Sequence, residues 1–165
     1  MYEYRCKVLK VVDGDTADVD IDLGFGIVLT DERVRLMGID TPESRTSDKV
    51  EDLFGEAAKA RLKELIDGKE GPILKTQINK DGEDMKGKFG RILGDFEVEK
   101  NGVRRMATDV LIEEGHAVSY MGGNKDATQA AHEVNRQRLL AEGLIAQEDY
   151  DKQVAYMAKK YIKNI

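Results

Sequence analysis

Residues 35–43 place one arginine and two carboxylates around a rigid turn. The first part of this stretch alternates between apolar and polar residues, as a half-buried strand does, and the pattern breaks at Thr41-Pro42. Proline fixes its own φ and keeps the preceding residue out of the helical region, so Asp40 and Glu43 leave the strand on a defined path. Together with Arg35, these carboxylates can bind a metal ion and a phosphate. The alternative is a charged strand end with a surface salt bridge.

A second acidic turn, Asp13-Gly14-Asp15, ends the first strand-like run. Glycine accepts a positive φ and aspartate bonds to nearby backbone groups, so this triplet is typical of a turn. Residues 16–23 follow as a strand in which three aspartates, Asp18, Asp20 and Asp22, alternate with apolar residues. The helix-loop-helix calcium template requires glycine and glutamate where this series has Leu23 and Leu29. The series therefore indicates a solvated strand face.

Hydrophobic periodicity and turn signals divide the rest of the chain into strands and helices that position these turns. Strands are predicted over residues 2–12, 16–23, 27–39, 72–79 and 88–99, the first three as an antiparallel meander. A polar loop is predicted over 44–52 and a charged hairpin loop over 80–87. Helices are predicted over 54–67, 108–114, 126–142 and 148–162, with Thr108 and Asp126 as N-caps. In the last helix an apolar stripe predicts core packing for Tyr150, Val154, Met157, Tyr161 and Ile162.

Length and composition, 165 residues of which 41% are hydrophobic, favour one globular domain. A single cysteine, Cys6, excludes an internal disulfide, and no segment is long enough to span a bilayer. Because no export signal is visible, we expect a cytoplasmic protein without a membrane anchor. The net charge of −6 does not indicate a general affinity for nucleic acid, so a polyanion site requires a local basic stretch such as 75–91. His116 and His132 have no partner at a metal-ligand spacing.

Four segments of the chain, taken in order, resemble the motifs of the staphylococcal nuclease (thermonuclease) family. They are Val12-Asp13-Gly14-Asp15-Thr16, Arg35-Leu36-Met37-Gly38-Ile39-Asp40-Thr41-Pro42-Glu43, Lys88-Phe89-Gly90-Arg91 and residues 106–117. The intervals between them are also similar to those of the family, and the resemblance covers about residues 1–145. Each segment alone has little specificity, whereas the ordered set is specific.

This resemblance implies an α+β fold that is mainly a β barrel with packed helices. The barrel would be a five-stranded oligonucleotide-binding (OB) fold surrounded by three family helices, with an extra C-terminal helix. The resemblance also implies a nuclease domain over residues 1–145 and a C-terminal helical extension over 146–165. We expect this extension to pack on the same domain, with an oligomer contact as the alternative, and the protein to be a monomer.

For the metal, the resemblance implies Ca²⁺ bound by the carboxylates of Asp15 and Asp40 and by the backbone carbonyl of Thr41. Asp13 would act from the outer shell of that site. Hard oxygen ligands suit calcium, and such a sparse ligand set leaves positions for water and for a phosphate oxygen. Mg²⁺ and Mn²⁺ accept the same ligand types.

For catalysis, the resemblance implies that Glu43 orients or deprotonates the attacking water. Arg35 and Arg91 would bind the scissile phosphate, since planar guanidinium groups follow charge as it builds on the phosphate oxygens. Phe89 and Tyr120 would stack on bases, which contributes about 1–3 kcal/mol per base with little selectivity. Two departures affect these aromatic residues. Residue 89 lacks the hydroxyl of a tyrosine, and the match at Tyr120 needs a gap of one residue.

The function implied by the resemblance is calcium-dependent hydrolysis of DNA, preferably single-stranded, and of RNA. Attack by water would leave 3′-phosphate ends, with little sequence specificity. The alternative is a binding module that holds nucleic acid or a protein on the same barrel without cutting it. Degenerate modules of that kind would be expected to lose some of the catalytic positions, and here Asp15, Arg35, Asp40, Glu43 and Arg91 are all present.

Overall fold

A computed structural model describes residues 2–68, 71–77, 90–120 and 123–164 of the chain. The strands are β1 (Glu3–Asp13), β2 (Thr16–Gly24), β3 (Ile27–Leu36), β4 (Ile39–Asp40), β5 (Ile73–Thr76), β6 (Ile92–Lys100), β7 (Val103–Met106) and β8 (Val118–Ser119). The helices are α1 (Lys49–Ile66), α2 (Ala107–Glu113), α3 (Lys125–Ala141) and α4 (Gln147–Lys163). None of the helices in these residues is both long enough and apolar enough to cross a membrane.

Five of these strands close into a barrel. β1, β2 and β3 form the predicted antiparallel meander, β1 also pairs with β5, and β5 pairs with β6. A parallel pairing of β3 with β6, in which Val34 lies opposite Ile92, closes the ring. The predicted α+β fold, an OB-type barrel with packed helices, is therefore confirmed. The sequence did not predict β7, which extends β6 as a hairpin, or the short pair of β4 and β8.

Alternation along the strands sends one set of side chains into the barrel. Val19, Ile21, Val34, Leu36 and Phe96 are fully or almost fully buried there. Because each such side chain contributes about 1.5–3 kcal/mol when it leaves water, this core is the main source of barrel stability. The intervening aspartates of β2 stay at the surface, where Asp18 pairs with Arg33 at 2.8 Å.

Helix α1 begins earlier than its hydrophobic pattern indicates. Asp48 is the N-cap, and its carboxylate accepts hydrogen bonds from the backbone N–H groups of Val50 and Glu51. The prediction of a loop through residue 52 and a helix start at 54 was wrong, since Asp48 caps the helix and Val50 and Leu53 near its start already pack on a small apolar cluster. The buried face of α1 follows helical spacing and consists of Phe54, Gly55, Ala58, Leu62 and Ile66.

The N-termini of two further helices also differ from prediction. α3 is capped by Asn124, whose side chain accepts from the Ala127 N–H, and Asp126 lies inside its first turn. α2 begins at Ala107, so Thr108 lies within the helix and does not cap it. The groups near its N-terminus bond instead to Asp95 on β6.

Helix α4 is where predicted, but its packing is different. None of its residues, all of which the structure describes, is buried, and Tyr161 and Ile162 are 72% and 70% exposed. The prediction of core packing for its apolar stripe was therefore wrong for the C-terminal half of the helix. Near its N-terminus, the ring of Tyr150 meets the edge of Phe54 on α1 with centroids 6.1 Å apart. The hairpin loop predicted over 80–87 lies outside the described residues.

Asp95 gives the fold a testable pH dependence. Its carboxylate accepts from the backbone N–H groups of Phe96 and Thr108 at 2.8 and 3.3 Å and from the Thr108 hydroxyl. Burial raises the pKa of Asp95 from 3.8 to about 6, against the effect of these bonds. The folded state therefore holds this proton more tightly than the unfolded chain, and stability is lost as the pH rises through about 6.

We expect Asp95→Asn to remove this loss, because the carboxamide keeps one acceptor and one donor and carries no charge. The unfolding free energy of the variant minus that of wild type should be larger at about pH 7.5 than at about pH 4.5, by on the order of 2 kcal/mol. Urea unfolding of both proteins at the two pH values measures this difference. A difference that does not change with pH would show that Asp95 stays ionised in the fold.

Candidate active site

A cavity of about 290 Å³ lies where the ends of β1, β3 and β4 meet. The residues that line it are Asp13, Asp15, Thr16, Arg35, Asp40, Thr41, Pro42, Glu43 and Arg91. The structure thus brings together every residue that the sequence suggested for catalysis, metal binding and the outer shell. Tyr120, which the structure describes, is not among the residues that line this cavity, and it is 59% exposed. Phe89 lies outside the described residues.

The acidic turn between β1 and β2 is held by its neighbours. Asp13 accepts a hydrogen bond from the Ser44 hydroxyl and lies 4.0 Å from the Arg45 guanidinium. Asp15 accepts from the Thr16 hydroxyl at 2.9 Å through Oδ1, and its Oδ2 lies 3.3 Å from Arg35. These contacts keep both carboxylates on the cavity side of the turn.

Arg35 joins the two acidic turns. Besides its ion pair with Asp15, its guanidinium donates to the backbone carbonyl of Leu36 and, at 3.0 Å, to that of Ile39. The chain therefore folds around the arginine before it reaches Asp40. The backbone of Asp40 is then fixed a second time, because β4 pairs with β8 and places Asp40 opposite Val118.

Helix α1 forms the floor beneath both turns. A Cβ atom on Gly55 would overlap the carbonyl oxygen of Glu43 and lie 2.7 Å from the Ser44 nitrogen. A Cβ atom on Gly14 would lie 2.7 Å from the Cβ of Ala58. The two turns can approach this closely only because the facing residues are glycine and alanine.

Negative charge dominates the cavity. Four carboxylates, Asp13, Asp15, Asp40 and Glu43, face two guanidinium groups, Arg35 and Arg91. Burial raises the pKa of Glu43 above its ordinary value, and the charges of Asp13 and Asp15 add to this effect. A carboxylate with a raised pKa is a stronger base, which suits proton transfer from water.

The donor set of the cavity fits a hard divalent cation, since carboxylate oxygens exceed the positive charges that face them. Among the residues that the structure describes, no three His, Cys, Asp or Glu side chains come together as a metal cluster. A cation here would therefore need two carboxylates together with backbone oxygen and water, as sparse calcium sites do.

One contact of the site was not predicted. His132 on α3 places Nε2 at 2.7 Å from Oδ2 of Asp40, across 92 residues of sequence. No local sequence pattern predicts this pair, because the two residues are far apart in the chain. The prediction that His132 has no partner at a metal-ligand spacing does not bear on this contact, since its partner is a carboxylate 92 residues away. Ser44 and Arg45, which hold Asp13, were also not anticipated.

Comparison with known proteins shows which family the chain belongs to. The profile of the family described as staphylococcal nuclease homologue matches residues 33–142. The chain belongs to the family of staphylococcal nuclease homologues. Micrococcal nuclease of Shigella flexneri is 29% identical over 146 residues, which cover 83% of this chain and 72% of that protein. Protein ParB of Escherichia coli is 34% identical over 92 residues, covering 56% of this chain and 41% of ParB.

The range matched by the staphylococcal nuclease family, residues 33–142, contains Arg35, Asp40, Glu43 and Arg91. Asp13 and Asp15 precede the matched range, and the structure itself is what places them in the same cavity. The matched range and the cavity therefore overlap at Arg35, Asp40, Glu43 and Arg91.

The contact of α1 with the site can be tested with Gly55→Ala. Alanine favours a helix over glycine by about 1 kcal/mol, but forcing a methyl group against a backbone costs about 1–3 kcal/mol. Because the overlapping atoms are backbone, we expect a net loss of about 1–2 kcal/mol in unfolding free energy, measured in urea.

Gly68→Ala is the matched control, since a Cβ atom at Gly68 meets nothing within 4 Å. We expect its unfolding free energy to stay close to that of wild type. Equal stability of Gly55→Ala and wild type would contradict the close packing of α1 on the Glu43 carbonyl.

Proposed function

We propose that this chain is a Ca²⁺-dependent nuclease that hydrolyses phosphodiester bonds of DNA, preferably single-stranded, and of RNA. The observation that carries the proposal is the convergence of both acidic turns and both arginines in one cavity. Membership of a nuclease family supports a nucleic acid as substrate. The calcium requirement and the roles of individual residues rest on the chemistry of the cavity.

The carboxylates of Asp15 and Asp40 and the carbonyl of Thr41 would hold the calcium ion. When bound, the ion supplies positive charge that neutralises the carboxylates and polarises a phosphate oxygen. Asp13 would act less directly, because its Oδ1 already accepts from the Ser44 hydroxyl and lies 4.0 Å from the Arg45 guanidinium.

Glu43 takes a proton from the attacking water. The water oxygen forms a new bond to phosphorus, the bond from phosphorus to the 5′ oxygen breaks, and that oxygen ends as a hydroxyl with a proton from solvent. The other product therefore carries a 3′-phosphate. The raised pKa of Glu43 favours this proton transfer, because a buried carboxylate among other carboxylates accepts a proton readily.

Arg35 and Arg91 bind the scissile phosphate and stabilise the charge that grows on its oxygens during attack. Arg35 is well placed for this role because two backbone carbonyls and the Asp15 carboxylate already hold its guanidinium at the cavity wall. A planar group that is held in this way loses little conformational entropy when a phosphate binds.

Removal of the base or of the phosphate ligand should abolish most activity. With single-stranded DNA and Ca²⁺, we expect Glu43→Gln to lower the cleavage rate by about 10²–10⁴-fold. Arg35→Ala should lower it by about 10²–10³-fold. EDTA should stop cleavage by wild type. Initial rates measured by gel or fluorescence test all three expectations.

Glu56→Gln and Arg5→Ala are matched controls, because Glu56 and Arg5 are exposed and lie away from the cavity. Both should cleave DNA at rates close to wild type. Equal cleavage by wild type, Glu43→Gln and Arg35→Ala would contradict the proposal, as would a lack of cleavage by wild type with Ca²⁺. In the second case, retained binding of DNA would favour the non-cutting module instead.

The direction of bond cleavage makes a separate prediction about the products. Fragments should carry a free 5′-hydroxyl, so polynucleotide kinase should label them without prior treatment with phosphatase. A DNA polymerase should extend them only after their 3′-phosphate has been removed. Fragments that need phosphatase before they accept a 5′ label would show that the other phosphorus–oxygen bond breaks.

The monomeric state, the cytoplasmic location and the division into residues 1–145 and 146–165 stay predictions from the sequence.

The acidic net charge of −6 adds one expectation for the reaction. Binding of DNA should depend on the local charge of the site and weaken as salt increases.

A further inference from the structure

Asp40 is fixed from an element that lies outside the barrel. His132 is 8% exposed on α3, and its Nε2 lies 2.7 Å from Oδ2 of Asp40. We propose that His132 is a positioning residue, which holds the Asp40 carboxylate in the orientation that binds the divalent cation. This inference rests on the proposed function, since it assumes that Asp40 is a metal ligand.

The same face of α3 also holds the strand that pairs with Asp40. Asn135, three residues after His132, donates from its side-chain amide to the Ala117 carbonyl at 3.2 Å. Residues three apart lie on one face of a helix, so both bonds point toward the site. Ala117 precedes β8, which pairs with β4. Helix α3 therefore fixes the Asp40 side chain directly and supports its backbone through β8.

Packing sets the position of α3 itself. Leu139 is buried in a small cluster with Phe54 and Ile145, and the Arg136 guanidinium lies 5.3 Å from the centre of the Phe54 ring. Phe54 belongs to α1, one residue before the Gly55 that supports Glu43. His132 thus reaches Asp40 from a helix that is anchored to the same floor as the rest of the site.

A hydrogen bond to one carboxylate oxygen restricts rotation of the group and so aims the other oxygen. Metal ligands are commonly oriented by such partners, and loss of the partner costs about 10–100-fold in metal affinity. Imidazole donates from Nε2 in its charged form and in one neutral tautomer. The positioning role of His132 therefore needs only the hydrogen bond and no change of protonation.

His132→Leu and His132→Gln separate the hydrogen bond from the packing. Leucine fills much of the space without a donor, whereas the glutamine amide nitrogen can occupy the place of Nε2. Calorimetric titration with Ca²⁺ should show about 10–100-fold weaker binding for His132→Leu and binding near that of wild type for His132→Gln. At saturating Ca²⁺, the KM for single-stranded DNA should change little.

Asn135→Ala controls for a general loosening of α3, because it removes the other bond of this face and leaves His132 in place. We expect it to lower the unfolding free energy without Ca²⁺ and to weaken Ca²⁺ binding much less than His132→Leu does, because it acts on Asp40 only through the backbone of β8. A loss of affinity equal to that of His132→Leu would overturn the proposal, since α3 would then act only as a structural support.

Two further outcomes are distinct. If wild type binds Ca²⁺ and cleaves DNA while His132→Leu binds Ca²⁺ equally well, the role of His132 is refuted and the nuclease function stands. If wild type neither binds Ca²⁺ nor cleaves DNA, both proposals fail. Should His132→Leu not fold, His132→Asn replaces it, because the shorter amide keeps polarity but does not reach Asp40. Affinity of His132→Asn equal to wild type would then refute the role.

Discussion

The site depends on how closely helix α1 approaches two acidic turns. Gly55 lets the helix touch the Glu43 carbonyl, and Ala58 meets Gly14 of the other turn. Any larger side chain at these points would push one turn away from the other and separate the carboxylates. The apolar face that continues along α1, including Leu62 and Ile66, buries the helix against the barrel. The energy of core packing is thus what holds like charges close together.

This arrangement explains how one cavity can favour both a cation and a phosphate. The four carboxylates alone would repel a phosphodiester. The two arginines balance only two of these negative charges, and a divalent cation would balance the other two. Arg35 lies between the two sets, bonded to Asp15 and to the backbone before Asp40. Outside the cavity, His132 fixes Asp40 from α3. Barrel, α1 and α3 therefore each supply one constraint on the same group of side chains.

Local patterns in the sequence predicted much of this structure. Alternation predicted the three-stranded meander, and Pro42 predicted the rigid path from Asp40 to Glu43. Features set by long-range contacts were not predictable in this way. The bond from Asp95 to α2 and the bond from His132 to Asp40 join residues distant in sequence. The apolar stripe of α4 has helical spacing whether or not a partner covers it, so its exposure could not be foreseen.

We propose that the two acidic turns, supported by α1, form one divalent cation site. A crystal grown with Ca²⁺ tests it most directly, through an anomalous difference map that locates the ion independently of any assumption about function. We expect a peak among the carboxylates of Asp15 and Asp40 and the carbonyl of Thr41. The absence of a peak there, or a peak only on the aspartate face of β2, would contradict it.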